Sequence, residues 1–176
     1  MKKEVNKWQD IILEIWKKEN RKIKLIVKGF SMEPYIHAND TILINLLPYD
    51  KIKIGDITAF LQNGKIVVHR IIKIKKYKGK LLFCQKGDNL TGYSWIESDQ
   101  IIGRVDIIER DNRKIYFKKP SNALLNLFLG ISGLVFINIF ELLTPLKKSL
   151  FGNQSLPIIK LINFWNRLIY KFYVLQ

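Results

Sequence analysis

The sequence predicts a mainly β fold: a compact antiparallel β-domain, with a short helix before it and apolar and amphipathic helices after it. Three observations carry this. Seven short apolar runs between residues 22 and 119 are separated by turn residues. The composition changes at Pro120, beyond which a long stretch has no charge. Residues 4–19 repeat apolar side chains at three- and four-residue steps. The predicted organisation is an amphipathic helix in 1–20, a β-domain in 21–119 and a membrane-associated helical tail in 120–176.

In chain order, Val5, Trp8, Ile12, Ile15 and Trp16 form the stripe of the first helix. Ile23, Leu25 and Val27 then alternate with lysines as a strand. Gly29 and Pro34 bracket a turn that carries Phe30, Ser31 and Met32. Runs at 41–44 and 57–61 follow the Asn39-Asp40 and Gly55-Asp56 turns. Gln62-Asn63-Gly64 reads as a hairpin that opens the long strand Lys65 to Lys75. Tyr77-Lys78-Gly79 returns the chain through Leu81 to Gln85. Gly87-Asp88-Asn89 breaks it, and runs at 101–108 and 115–117 complete the set.

Ala123 to Phe140 is uncharged, and extension to Leu143 adds only Glu141. At ~1.5 Å per residue this helix would be roughly 30 Å long, about one bilayer core. Asn126, Gly130, Gly133 and Glu141 share one helical face. That face suits a membrane helix packed on a partner, and equally a helix hidden in a protein core. After Pro157, Lys160, Asn163, Arg167 and Lys171 line one face of an aromatic-rich helix, the pattern of an interfacial segment on anionic lipid.

The 30 Lys and Arg residues stand against 15 Asp and Glu, giving a net charge of +15. Such a surplus calls for an anionic partner, nucleic acid or an acidic membrane. One short helix is too little for a helix-turn-helix, so no nucleic acid is expected and anionic membrane lipid is. Glu4, Asn6 and Asp10 interrupt the segment after Met1-Lys2-Lys3, so no signal peptide is expected. A single cysteine, Cys84, and two histidines do not compose a usual zinc site. No metal and no cofactor are expected.

Ser31 stands at a strand-to-turn junction, a stiff place from which a hydroxyl can point into a cleft. A serine needs a base to take its proton. His37 lies in a polar turn. His69 lies inside the long strand, and alternation puts Val67, His69 and Ile71 on one face and Val68, Arg70 and Ile72 on the other. β-Branched neighbours desolvate the imidazole and favour its neutral, proton-accepting form. A half-buried histidine held by a backbone carbonyl fits the same pattern. Counting outward from Lys78 puts His69 opposite Gly87, which brings Asp88 near it; an Asx turn is the structural alternative for Asp88.

Five motifs occur in one order: Gly29-Phe30-Ser31-Met32-x-Pro34, Gly55-Asp56-Ile57, Val68-His69-Arg70-Ile71, Lys86-Gly87-Asp88-Asn89 and Ile102-Gly103-Arg104-Val105. Together they resemble the type I signal peptidase family, in the subset with histidine where bacterial leader peptidases have lysine. The resemblance covers residues 22–108. It implies a serine endopeptidase with Ser31 as nucleophile, His69 as general base and Asp88 as orienting acid, Asp99 being the reserve. It also implies that the Ser31 N–H holds the oxyanion, that Met32 lines the substrate cleft, and that Asp56 and Arg104 are structural. The partner would be a signal or leader peptide of a precursor protein.

The chain departs from the pattern in four places. Asn39-Asp40 replaces the usual Gly-Asp. Ser94 occupies the position where eukaryotic members carry a second aspartate. An N-terminal anchor is not evident, and the apolar segment follows the catalytic domain. Basic residues Arg110, Arg113, Lys114, Lys118 and Lys119 before that segment favour a cytoplasmic catalytic face, whereas Lys147 and Lys148 after it weaken the bias. Two other readings stand beside the peptidase: a catalytically silent basic β-domain on anionic membrane, and a repressor-type autoprotease. The second sits poorly with His69 and with so short an N-terminal segment. Oligomeric state is not legible in the sequence.

Overall fold

The computed structural model describes residues 22–117 and 120–151, with residues 164, 168, 170 and 171. The predicted first helix lies outside them, as does most of the segment after Pro157. Eight strands form one sheet: β1 Lys22–Ile26, β2 Thr41–Asn45, β3 Ile57–Gln62, β4 Lys65–Tyr77, β5 Lys80–Lys86, β6 Tyr93–Glu97, β7 Ile101–Arg110 and β8 Arg113–Tyr116. Their order is β1-β2-β7-β3-β4-β5-β6, with β8 beside β7, and every pairing is antiparallel. The predicted β class holds. The strand not anticipated is β6, whose Tyr-Ser-Trp-Ile-Glu alternates too briefly to stand out.

Two apolar clusters fill the curl of the sheet. Met32, Tyr35, Ile36, Ile42, Ile44, Leu46, Val105 and Ile108 belong to one. Ile52, Phe60, Ile71, Phe83, Ile96 and Ile101 form the other. Met32 therefore does not line a cleft. It is 2% exposed, because the turn after Ser31 points it inward beside Tyr35 and Ile36. Asn39 has φ +72°, the left-handed conformation that asparagine tolerates in place of glycine. Its neighbour Asp40 forks onto the Arg110 guanidinium.

One long helix, α1 (Pro120–Phe151), follows the sheet. A proline suits its first turn, where the missing N–H has no helical partner anyway. The Asn126–Gly130–Gly133–Glu141 face does pack on a partner, and the partner is the β-domain of the same chain. A Cβ on Gly55 would fall 2.4 Å from the Asn126 carbonyl oxygen, and one on Gly130 would fall 2.8 Å from the Gly55 nitrogen. Both positions must lack a side chain for helix and sheet to meet.

Candidate active site

Strand β4 carries two consecutive residues to opposite faces. On one face, His69 meets the nucleophile candidate: its Nε2 lies 2.9 Å from Ser31 Oγ. Both residues are half-buried. His69 Nδ1 contacts Gln85 Oε1, and Gln85 Nε2 donates to Ser94 Oγ. Gln85 and Ser94 sit directly opposite each other on β5 and β6, so their side chains share a face. An Nδ1–H donated to Gln85 leaves Nε2 free to accept from Ser31. Burial lowers the His69 pKa below the usual 6.5, and the Lys86 charge adds to this. The Gln85 hydrogen bond and the Asp88 charge oppose it. The imidazole is thereby held neutral near pH 7, the form that accepts a proton.

On the other face, Arg70 is fully buried. Its Nε and Nη2 grip the two Asp88 carboxylate oxygens at 2.9 and 2.7 Å. Its Nη1 donates to Gly55 O at 2.8 Å and to Asn126 Oδ1 at 2.9 Å. The guanidinium also lies 5.2 Å from the centre of the Tyr35 ring. Lys86 is opposite Arg70 in the ladder, and its buried ammonium donates to Gly87 O at 3.1 Å. Burial pushes the Lys86 pKa down.

The 87–90 turn joins the two faces. Asn89 N–H donates to Ser31 O at 2.9 Å, and Asn89 Nδ2 to Phe30 O at 3.2 Å. A Cβ on Gly87 would fall 2.6 Å from Ser31 O, so glycine is what lets the turn reach the Ser31 backbone. Phe30, beside Ser31 in the chain, and Leu90, against Gly87, are both exposed.

Residues 3–105, more than half of the chain, match the family model Peptidase S24-like. The chain belongs to that family. It is also similar to proteins named "Signal peptidase complex catalytic subunit SEC11C" from Canis lupus familiaris, Pongo abelii and Homo sapiens. Each is 33% identical over 92 residues, which is 46% of this chain and 48% of the relative. The chain thus spans about half the length of the curated relatives it matches.

Within this Peptidase S24-like domain, the structure brings together two of the three predicted site residues. Ser31 and His69 are in hydrogen-bond contact. Asp88 is not the group on His69 Nδ1; that group is Gln85. The reason is strand parity. His69, Ile71 and Gln85 lie on one face of the β4–β5 ladder, whereas Arg70 and Lys86 lie on the other, and Asp88 follows Lys86 to the Arg70 side. The Asp88 charge still acts on His69 and raises its pKa. The reserve acid Asp99 lies in the short 3-10 turn Ser98–Gln100, where Gln100 bridges to Leu61 O. Asp56 and Arg104 are structural as expected: Asp56 caps the Lys53 N–H at 2.8 Å, and Arg104 Nε donates to Asp106 at 2.8 Å. The sequence reading missed Gln85. The alternation applied to β4 would have found it if carried across the hairpin to β5.

Proposed function

We propose that this chain is a membrane-associated serine endopeptidase of the histidine type, acting on signal or leader peptides. The observation that carries the reading is the 2.9 Å contact between Ser31 Oγ and His69 Nε2, on an imidazole whose other nitrogen is engaged by Gln85. In this reading His69 takes the Ser31 proton as Oγ attacks the scissile carbonyl carbon. The tetrahedral oxyanion forms beside the Ser31 N–H, the donor that the family resemblance implies. The imidazolium then protonates the leaving amine, and an acyl-Ser31 ester remains. Water, deprotonated by the same imidazole, hydrolyses that ester and restores the serine.

Gln85 is a positioning residue: it selects the tautomer without carrying charge. Asp88 is also a positioning residue, acting through the turn that holds Ser31 O. The names of the SEC11C relatives support signal peptides as the substrate class. Residues 21–119 would carry the chemistry, residues 120–176 the membrane contact, and residues 1–20 an accessory amphipathic helix. A cytoplasmic catalytic face would make a leader on a cytoplasmic precursor the substrate, and protease protection of inverted vesicles tests that side. The activity test is cleavage of candidate leader peptides by detergent-solubilised wild type, Ser31→Ala and His69→Ala across pH. Each substitution should lower kcat/KM by at least ~10³-fold. Cleavage that survives both would overturn the assignment.

A further inference from the structure

We propose that helix α1 is a lipid-docking ridge that lies in the plane of a membrane surface and does not cross the bilayer. The proposal deepens the membrane association put forward above. Its test reads lipid contact rather than peptide cleavage, so each can fail without the other.

By length and composition, Asn122–Ile139 could span a membrane. Its packing argues for a different orientation. One face of α1 is tied to the β-domain from Asn122 to Glu141. Asn122 Nδ2 donates to Tyr116 O at 2.6 Å, and Asn126 Nδ2 to Phe117 O at 3.2 Å. Gly130 meets Gly55, and a Cβ on Gly133 would fall 3.2 Å from Ile72 Cγ2. Ile137 packs with Ile72 and Cys84. Glu141 Oε1 accepts from the Tyr93 hydroxyl at 2.7 Å. From 122 to 141 the helix is roughly 30 Å long, the whole thickness of a hydrocarbon core. A crossing helix with these contacts intact would carry the flank of β4–β6 into hydrocarbon, including the exposed Lys73 and Lys75. Charged groups are costly there. Detaching the helix would instead take Asn126 from the buried Arg70.

The opposite face suits a surface. Leu124, Phe128, Ile131, Val135, Ile139 and Leu142 recur at four- and three-residue steps, and all are exposed, Leu124 by 74% and Leu142 by 73%. The ridge is uncharged and continuous. On the β4–β6 flank that meets the inward face of α1, Lys75 stands 4.2 Å from the centre of the Trp95 ring, and Trp95 packs against the Ile72–Cys84–Ile137 cluster. Lysine next to tryptophan and tyrosine is the chemistry of an anionic headgroup layer. The chain's net charge of +15 points to the same partner. An in-plane helix also removes the conflict among the flanking lysines, because the positive-inside rule concerns segments that cross.

The test uses the full chain with single cysteines introduced as Leu124→Cys, Ile131→Cys and Leu142→Cys, each labelled with an environment-sensitive fluorophore. Native Cys84 stays in place, since it is buried and its thiol is pushed up to about 11. Vesicles of phosphatidylcholine and phosphatidylglycerol carry spin labels at a shallow or a deep acyl position. Docking in the plane predicts equal quenching depth at all three sites. A spanning helix would place Ile131→Cys deepest and the two ends shallow, which overturns the proposal. Absence of quenching at every site, as when a second copy covers the ridge, also overturns it. Flotation of the unlabelled Ile131→Lys chain gives an independent reading. Its vesicle-bound fraction should fall at least tenfold, and an unchanged fraction overturns the docking surface.

Discussion

His69 and Arg70 are neighbours in sequence, yet the two faces of β4 are built from different materials. The His69 face is a file of neutral groups: Ser31, His69, Gln85 and Ser94. The Arg70 face is ionic, with a buried guanidinium held by Asp88, Gly55 O and Asn126. Under the proposed mechanism the difference separates two jobs. A proton in transit needs partners that do not lock it in place, and a carboxylate on Nδ1 would hold the imidazole protonated more firmly. A backbone that must stay fixed is served by charge-assisted bonds in a dry site. Under the proposed mechanism the Arg70–Asp88 fork serves geometry, and the proposed base keeps a neutral partner.

The comparison breaks most visibly at Arg70. Arg70→Met leaves the largely buried Asp88 without its fork, and such losses cost about 3–5 kcal/mol. Urea denaturation should show it, and a smaller loss than in ordinary surface variants would mean that Arg70 is not the clamp described.

Gln85 probes the other face. Gln85→Leu should leave the denaturation midpoint near wild type while kcat/KM drops roughly 10²-fold, the lower end of what a positioned base contributes. Gln85→Glu places a carboxylate beside Nδ1–H and stabilises the imidazolium, so the acidic limb of the pH profile moves up from its wild-type position below 6.5. If that limb does not move, Gln85 does not touch the working base. The same depressed pKa has a stability counterpart. The unfolded chain binds the proton more readily, so this contribution is present above 6.5 and lost as pH falls through the lower, folded pKa.

Asn126 sharpens the comparison from a distance. Asn126→Ala removes an acceptor from a buried cation and a donor to Phe117 O. A loss of about 1.5–3 kcal/mol is expected, with the acidic limb unmoved because His69 faces away. A shifted limb would show that the two faces are not independent. The smallest effect concerns Thr58, directly across from His69, whose buried hydroxyl has no partner among the described residues. Thr58→Val should change stability by less than about 1 kcal/mol, with neutral or favourable sign. A lowered cleavage rate would instead add that hydroxyl to the neutral file.

Much of this was legible in the sequence. Alternation and turn residues placed seven of the strands. Counting from Lys78 put His69 roughly opposite Gly87; that register meets the ladder at Arg70–Lys86 but is one residue out nearer the turn, because the ladder shifts between Ile71 and Lys73. Ser31 and His69, which the structure brings within 2.9 Å, stood out as candidates because a hydroxyl at a turn and an imidazole in a strand are chemically conspicuous. Gln85 was not, because a glutamine in a strand has no chemistry of its own until its face is known. Asp88 drew the role of orienting acid for the converse reason: a carboxylate near a histidine attracts it, whereas side-chain parity turns Asp88 to the Arg70 guanidinium. Asn126 looked like a small-residue packing position inside an apolar helix. Only the close approach of Gly55 and Gly130 reveals that it reaches a buried cation.

That approach bears on how the protein can be handled. An apolar C-terminal segment invites removal when a soluble, well-behaved catalytic fragment is wanted. Ending the chain before Pro120 would uncover the groove at Gly55, expose Leu129's apolar seat and leave Arg70 Nη1 to solvent. Solubility should therefore be sought on the outward side of the helix, by polar replacements at Leu124, Phe128 and Ile131, with the inward side untouched.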